Sequence, residues 1–186
     1  MDVTLAHTNE TAAPGLLHSL GFRVDSSLTR VAVDLESQRA VFTADSARFV
    51  LPTGCTLRDC HAAELAPLCR HWYSPDRQSA TLAHIANARN QSARALYQGP
   101  LPVAFVFYDR TPEALTIDLW AAAPSARGSR ANLTLITSLI RPTLTDGTRE
   151  LHFAWTTGTR RTPTFAHRYC ARALGIQDHY VLPLLP

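Results

Sequence analysis

The residues best suited to chemistry are a strand-to-helix junction and one acidic side chain just before it. The junction carries Pro124 and then Arg127-Gly128-Ser129, between an apolar strand pattern ending near Ala122 and a helical pattern. A helix that begins there directs several backbone N–H groups and the positive end of its dipole at one point, which favours a phosphate. Asp118 interrupts the apolar strand LTIDLW, and burying a carboxylate requires a partner or a function, unless the residue lies on the solvent face of the strand. The sequence therefore predicts an enzyme that uses a phosphate-bearing cofactor.

Composition limits the class of protein. The chain has 186 residues, 46% of them hydrophobic, which is enough for one principal domain. Its 18 basic residues are all arginines, and the net charge of +3 with no basic stripe argues against a nucleic-acid partner. No apolar run is long enough to cross a membrane and the N-terminus lacks signal-peptide order, so a cytoplasmic location is expected. The four cysteines lack metal-finger spacing, so neither a metal nor a disulfide is expected.

The first fifty residues predict a small appendage. Residues 1–14 lack apolar periodicity and are expected to be disordered. Residues 15–50 contain a helix end at 16–22 and two alternating segments, 29–35 and 39–44, which predict a β-hairpin. This appendage is either a remnant of a tandem domain or a hairpin that completes a sheet, in its own chain or in the partner subunit of a homodimer.

The remaining residues, 51–186, predict the main domain. The pattern indicates helices from about Leu57 and Pro75, a hairpin around 93–109, and a strand that ends at the junction. A helix over Ala131–Ile140 is expected to stop at Pro142, followed by a strand at 150–155, a helix at 162–175 and a closing strand. The expected fold is α/β (α+β), with a mixed, mostly antiparallel central sheet flanked by helices on both faces.

The junction and a later segment together resemble the GNAT superfamily of N-acetyltransferases. Pro124, Arg127 and Gly128 fall on that family's cofactor-loop motif, V-x-P-x-x-R-G-x-G-x-G or A, although Arg130 and Asn132 occupy two of its small positions. The segment ARALGI at 171–176 is similar to the family's helix-end motif, aromatic-x-x-Leu-Gly-Phe. The order of predicted elements from Leu57 onward also resembles the family's, so the resemblance covers about two thirds of the chain.

The resemblance implies a set of site residues and a co-substrate, acetyl-CoA or another acyl-CoA, with no metal. Asp118 would contact or deprotonate the acceptor amine. Tyr169 would protonate the leaving thiolate, because Ala171 stands where the family often has its tyrosine, and Cys170 and His167 are the alternatives for this proton donor. The expected cofactor contacts are Ala122, Ala123, Arg127, Gly128, Ser129, Arg130, Ala131 and Arg160. The residues expected to shape the substrate pocket are Trp72, Tyr73 and Trp155.

Three hypotheses about function stay open at this point. The first is an N-acyltransferase that moves an acyl group from acyl-CoA to the primary amine of a small molecule or a protein. The second keeps the chemistry but takes the acyl group from an acyl carrier protein, because an arginine-rich surface suits an acidic carrier. The third is a catalytically degenerate binding or regulatory module, indicated by Arg130, Asn132 and Ala171.

Overall fold

A computed structural model gives the structure of the protein and describes residues 2–7, 12–61, 64–65, 68, 72, 92–156 and 161–182. The chain divides into two compact units, one formed by Met1–Val33 with His152–Pro186 and the other by Asp34–Leu151. The strands are β1 (Asp2–His7), β2 (Arg23–Asp34), β3 (Cys55–Cys60), β4 (Ser92–Gln98), β5 (Leu101–Arg110), β6 (Ala114–Ala122), β7 (Glu150–Thr156) and β8 (Arg172–Val181). The helices are α1 (Ala12–Ser19), α2 (Arg39–Arg48), α3 (Arg130–Asp146) and α4 (Arg161–Arg168).

The second unit contains the sheet order β6-β5-β4-β3, in which successive strands pair antiparallel. The β4–β5 hairpin turns at Gly99, whose φ of +60° is the left-handed conformation that glycine adopts without strain. The apolar interior of this unit includes Phe105 and Phe107, both with no exposed surface. The Trp72 ring stacks on the Phe105 ring, with the two ring centroids 5.4 Å apart. The predicted hairpin and the strand leading to the junction are therefore confirmed.

Helix α3 passes through Pro142, where the sequence had predicted its end. Pro142 has no N–H for the carbonyl of Ser138, and Arg94 Nη1 donates to that oxygen instead, at 3.5 Å. Arg110 Nη2 donates to the next carbonyl, that of Leu139, at 3.2 Å. The helix continues because arginines from two strands satisfy the carbonyls that the proline disturbs, and no local pattern shows this.

Two further predictions in this unit are wrong. Residues 39–44, expected as a strand, belong to α2, which packs against α3. The Asp34 carboxylate starts the chain reversal before α2, because its Oδ1 accepts from the N–H groups of Glu36 and Ser37 at 2.9 and 3.2 Å. The helix expected from Leu57 begins later, since Cys55–Cys60 form β3 and the helical residues described are Glu64, Leu65, Leu68 and Trp72.

The first unit contains the order β1-β8-β2-β7, and β8 pairs antiparallel with both β1 and β2. Asp2–His7, expected to be disordered, form the edge strand β1. The helix expected over 162–175 ends at Arg168, and residues 172–175 belong to β8. Taken together, the elements confirm an α/β fold with mostly antiparallel strand pairing and flanking helices. The helix predicted from Pro75 lies outside the described residues.

Candidate functional site

The junction between β6 and α3 is a compact turn built by local hydrogen bonds. Pro124–Ala126 form one turn of 3₁₀ helix, and the N–H groups of Ala126 and Arg127 both donate to the Ala123 carbonyl, at 2.9 and 3.1 Å. Gly128 then has a φ of +69°, a conformation that favours glycine. The turn therefore positions the start of α3 directly after the end of β6, as the sequence predicted.

Ser129 is the N-cap of α3. Its hydroxyl accepts from the N–H of Asn132 at 3.2 Å, which satisfies one of the free donors of the first helical turn. The N–H groups of Arg130 and Ala131 also lie in that first turn and have no intrahelical acceptor, because an α-helix leaves its first four N–H groups unpaired. Two backbone donors and the positive end of a 17-residue helix therefore point out of the junction.

A cavity of about 320 Å³ lies at this start of α3. The junction supplies one wall, and the loop before β3 together with strands β3 to β5 supplies the other. The lining residues are Pro52, Thr53, Cys55, Gln98, Val103, Ser125, Ala126, Ser129, Arg130 and Ala131. The cavity is therefore a concave space with unpaired helical N–H donors and one guanidinium, a combination that fits a phosphate group.

The Arg127 side chain holds the junction to its surroundings. Its Nε donates to the carbonyl of Ala122 at 3.1 Å, and its Nη2 donates to the carbonyl of Trp72 at 2.6 Å. Its backbone N–H is engaged with Ala123 inside the turn. Among the expected cofactor contacts, Arg127 is therefore a residue that anchors the loop, whereas Ser129, Arg130 and Ala131 face the cavity.

Asn132 occupies one of the small positions of the loop motif and has a defined structural partner. Its Oδ1 accepts from the indole Nε1–H of Trp120 on β6 at 2.8 Å, and the residue is 7% exposed. The buried amide thus provides an acceptor for the indole N–H. The departure from the motif therefore has a structural cause that the sequence did not show.

Asp118 lies at an irregularity of β6. Phe107 pairs with Leu119 and Tyr108 with Ile117, so Asp118 is an extra residue opposite β5, a β-bulge. The Asp118 side chain is exposed. The bulge breaks the alternation of side chains along β6 and directs this carboxylate to solvent beside an otherwise apolar strand.

The end of β6 also presents one backbone donor away from β5. The N–H of Ala123 donates to Val103 on β5 at 2.9 Å, and Ala122 pairs with Ala104. Along an antiparallel strand, successive residues direct their N–H and C=O groups to alternate edges. Because Ala123 faces β5, the N–H of Ala122 points to the edge of β6 away from β5. The Ala122 carbonyl points the same way and accepts from Arg127 Nε. The Ala122 N–H is therefore the candidate donor to an oxyanion, whereas the Ala123 N–H is engaged with β5.

Tyr169 lies in the first unit, at the end of α4. Its ring is 2% exposed and packs 4.6 Å from the ring of Phe165. The helix ends before Cys170, whose φ of +51° matches the glycine position of the helix-end motif. Counted from that turn, the aromatic position of the motif is Ala166 and the leucine position is Tyr169, so the motif begins five residues earlier than ARALGI predicted.

Of the four other residues expected at the substrate and cofactor sites, the structure describes two, Trp72 and Trp155. The structure buries Trp72 to 9% exposure against Phe105 in the second unit. Trp155 is half-buried on β7 in the first unit, with its ring 6.2 Å from that of Phe153. Tyr73 and Arg160 lie outside the described residues.

The wall opposite the junction, formed by Thr53, Cys55 and Gln98, was not predicted from the sequence. No motif identifies these residues, because they join the cavity only through strand pairing.

Cys60, further along β3, has a pKa raised to about 11, mainly by burial, with Glu64 and Asp59 adding to the rise. Cys60 therefore stays a protonated thiol at neutral pH. Within the described residues, no group of three His, Cys, Asp or Glu side chains is placed to hold a metal ion.

Comparison with known proteins defines the fold. No family model and no curated protein sequence matches the chain. Solved structures do match, among them a conserved protein of unknown function from Staphylococcus epidermidis, with 10% identity and a TM-score of 0.67 over 96% of this chain and 71% of the other. A tandem GNAT protein from the clavulanic acid biosynthesis pathway matches with 11% identity and a TM-score of 0.65, over 96% of this chain and 62% of the other.

A third match is a GCN5-related N-acetyltransferase from Sphaerobacter thermophilus, with 15% identity and a TM-score of 0.61 over 96% of this chain and 59% of the other. The chain therefore has the fold of the GCN5-related N-acetyltransferases, and the resemblance drawn from the sequence is confirmed for the fold. The chain spans about six tenths of the length of the last two proteins. No helix among the described residues is both long and apolar enough to cross a membrane.

Proposed function

We propose that this protein is an N-acyltransferase that moves an acyl group, most simply acetyl, from acyl-CoA to a primary amine. The observation that carries the proposal is the cavity at the start of α3, where unpaired N–H donors and Arg130 face a space large enough for a phosphate-bearing chain. The fold supports the proposal, because structures that share it include GCN5-related N-acetyltransferases.

Three parts of the site have distinct roles in this reaction: the start of α3, the Ala122 N–H and the Asp118 carboxylate. The first-turn N–H groups of Arg130 and Ala131, with the Arg130 guanidinium, hold the phosphates of the donor, which supplies the thioester. The Ala122 N–H faces the oxygen of the thioester carbonyl as negative charge develops on it. Asp118 binds the acceptor amine and takes its proton as the new C–N bond forms and the C–S bond breaks.

The leaving thiolate needs a proton, for which the sequence analysis named Tyr169. The burial of that ring against Phe165 supports a packing role instead. We therefore propose that solvent protonates the thiolate, because a thiolate is a good leaving group that needs no proton from a residue as it departs. Tyr169→Phe is then expected to keep kcat within about threefold of the unaltered protein.

Donor binding is tested by a charge placed at the start of α3. Ala131→Glu puts a carboxylate among the donors that face the cavity, which suits the helix dipole but repels a phosphate. Acetyl-CoA at a hundred times its Kd should stabilise the unaltered protein by about 2.7 kcal/mol, and Ala131→Glu should remove most of that gain. Ala131→Gln is the neutral control of matching size and should keep it. Equal thermal shifts for the two variants would contradict the proposed donor site.

Catalysis is tested by thiol release from acetyl-CoA in the presence of a panel of primary amines. Asp118→Asn should lower kcat/KM at least a hundredfold, within the usual effect of removing a general base, while leaving the acetyl-CoA thermal shift intact. Asp109→Asn, a second exposed strand carboxylate, is the matched control and should retain activity. An acyl carrier protein charged with the same acyl group, compared at equal concentration, decides between the two donors.

A second candidate function is a non-catalytic module that keeps the cofactor site. The buried Tyr169 and the alanine at the aromatic position of the helix-end motif favour it. This candidate predicts stabilisation by acyl-CoA together with no thiol release for any amine. It also predicts that Asp118→Asn leaves the cellular function of the protein unchanged.

A further inference from the structure

The first unit contains an internal repeat of one strand, one helix and a second strand. Its two halves are β1-α1-β2 and β7-α4-β8, and corresponding residues are separated by a constant 149 positions. At that separation Ala12 matches Arg161 and Ser19 matches Arg168, so α1 and α4 begin and end at equivalent residues. The first residues of β2 and β8, Arg23 and Arg172, also correspond. We call Asp2–Asp34 the N-terminal repeat and Leu151–Val181 the C-terminal repeat.

The turns after the two helices have the same hydrogen bonds. After α1, the N–H groups of Leu20, Gly21 and Phe22 donate to the carbonyls of Leu16, His18 and Leu17, at 3.1, 3.0 and 3.0 Å. After α4, three bonds connect the equivalent residues at 3.2, 3.2 and 2.9 Å: Tyr169 to Phe165, Cys170 to His167, and Ala171 to Ala166. Gly21 and Cys170 share a positive φ, +86° and +51°. The turns of the two repeats therefore have equivalent backbone hydrogen bonds although their sequences differ.

The pairing of β2 with β8 is symmetric under the same correspondence. Leu28 pairs with Gln177, its own equivalent, so a pseudo-two-fold axis passes through that pair. Every other pair in this ladder has a partner pair related by the axis: Thr29 with Ile176 and Ser27 with Asp178, and at the ends Arg23 with Val181 and Ala32 with Arg172. The two irregularities in the ladder fall at Asp25 and Leu174, which are also equivalent.

This symmetry has a physical consequence for β8. In its ladder with β2, a strand of the C-terminal repeat is paired with a strand of the same backbone shape, including a bulge in the same place. A second β8 therefore fits the position of β2 with the same bulge and hydrogen-bond pattern. Because register along an antiparallel ladder is fixed by such features, the second strand has one preferred alignment.

We propose that the surface of β8 occupied by β2 is a homodimerisation surface that the chain's own N-terminal repeat fills. When the N-terminal repeat is displaced, the C-terminal repeat of a second copy docks on the same surface. The two copies then pair β8 with β8 about a true two-fold axis at Gln177. The N-terminal repeat acts as an internal cap that keeps the chain monomeric.

The side chains of β8 are compatible with this pairing. The expected pairs follow when each β2 residue in the ladder is replaced by its equivalent in β8 of the second copy. Gln177 then pairs with Gln177 of the second copy, and the other pairs are Ile176 with Asp178, Gly175 with His179, Ala173 with Tyr180, and Arg172 with Val181. No pair brings two like charges together, which would oppose the pairing. The two Gln177 amides at the axis are able to hydrogen-bond to each other, because each carries a donor and an acceptor.

The experiment uses the full chain with β2 weakened. Leu28→Pro removes an N–H from the middle of β2, and proline is poorly tolerated inside a sheet. Analytical ultracentrifugation should find the unaltered chain monomeric and the Leu28→Pro chain dimeric at micromolar concentration. Adding Gln177→Cys to Leu28→Pro should give a disulfide-linked dimer on mild oxidation, at least tenfold more than the Leu28→Pro chain alone.

The matched control is Arg172→Cys in the Leu28→Pro chain. Arg172 lies on the same strand but would face Val181 of the second copy, so its own copies are far apart and no added cross-link is expected. A monomeric Leu28→Pro chain that stays folded, or equal cross-linking through both positions, would overturn the proposal.

A second measurement covers the case in which Leu28→Pro fails to fold. The full chain carrying only Gln177→Cys, or only Arg172→Cys, is refolded from urea at increasing concentration, which gives the second copy access to β8 before the N-terminal repeat docks. The yield of covalent dimer should rise with concentration for the Gln177→Cys chain and not for the Arg172→Cys chain. No covalent dimer at the highest concentration would overturn the proposal.

Discussion

The turn before α3 and the turn after α4 are the two places where the chain resembles a known motif, and they behave differently. The first lies where the motif predicted it, because its conformation is fixed locally by Pro124, Gly128 and the Ser129 cap. The second lies five residues before the predicted position. There Leu174-Gly175, which looked like a helix end, belongs to β8.

The difference shows which kind of motif predicts the position of a turn correctly. A motif whose residues set the backbone conformation is reliable in position, since proline, a glycine with positive φ and a cap act over only a few residues. A Leu-Gly pair is weaker, because pairing with β2 and a bulge at Leu174 compete with a helix end. The helix therefore ends at Arg168, and the turn that follows holds Cys170, a non-glycine residue, in the left-handed conformation.

The largest expected effect tests the position of the second turn. Ala166→Tyr restores the aromatic residue at the helix-end motif as the structure aligns it, but Ala166 is only 6% exposed. Overpacking there should lower the free energy of unfolding by about 3 kcal/mol. Ala171→Tyr, at the position that the sequence indicated, should change it by less than about 1 kcal/mol. Urea unfolding followed by circular dichroism measures both, and a reversed order would restore the sequence-based alignment.

The next effect tests the first turn through Asn132. Asn132→Ala leaves the Trp120 indole N–H without its acceptor and should cost about 2 kcal/mol of stability. Asn132→Asp keeps the acceptor and should stay within about 1 kcal/mol of the unaltered protein, yet weaken acetyl-CoA binding, because it adds a negative charge to the first turn of α3. Chemical unfolding and calorimetric titration separate the two effects. Similar stability for both variants would mean that the bond to Trp120 contributes little.

Arg127 tests how firmly the first turn is anchored. Arg127→Lys cannot reach the carbonyls of Ala122 and Trp72 together, because an ammonium lacks the divergent donors of a guanidinium. The expected loss is about 1.5 kcal/mol, with a raised KM for acyl-CoA. Arg130→Lys keeps a charge at the cavity without such bonds and serves as the control, with a change below about 0.5 kcal/mol in thermal unfolding. Equal losses would show that the two guanidinium bonds do not stabilise the turn.

The smallest effect compares the two helix ends of the first unit directly. Cys170→Gly should stabilise the protein by about 1 kcal/mol, because glycine adopts a φ of +51° without strain. Gly21→Ala, at the equivalent position, should destabilise it by about 1 kcal/mol. Its added Cβ would meet only Leu182 Cδ1 at 3.7 Å, so the effect would come from the backbone. Differential scanning calorimetry reports both, and changes of the same sign would contradict the equivalence of the two turns.

Much of the candidate site could be predicted from residues close together in the sequence. The strand ending at Ala122 and the strand-to-helix turn at Pro124 and Gly128 lie where apolar alternation, proline and glycine placed them. Asp118 differs from the expectation of a buried carboxylate, because the bulge in β6 leaves it exposed. The opposite wall of the cavity was not predictable, because Thr53, Cys55 and Gln98 approach the junction only through the pairing of β3 with β4 and β4 with β5. The partner of Asn132 was likewise hidden, since no pattern connects it to Trp120.

The sequence by itself determined the local conformations: the β4–β5 hairpin, the turn at Gly128 and the Ser129 cap. Each follows from a backbone preference or a hydrogen bond within a few residues. Only the tertiary structure decided that residues 39–44 are helical, that α3 continues past Pro142, and that β2 pairs with β8 about a pseudo-two-fold axis. Those outcomes depend on distant partners, such as the Arg94 guanidinium at the Ser138 carbonyl, whose contributions outweigh local propensity.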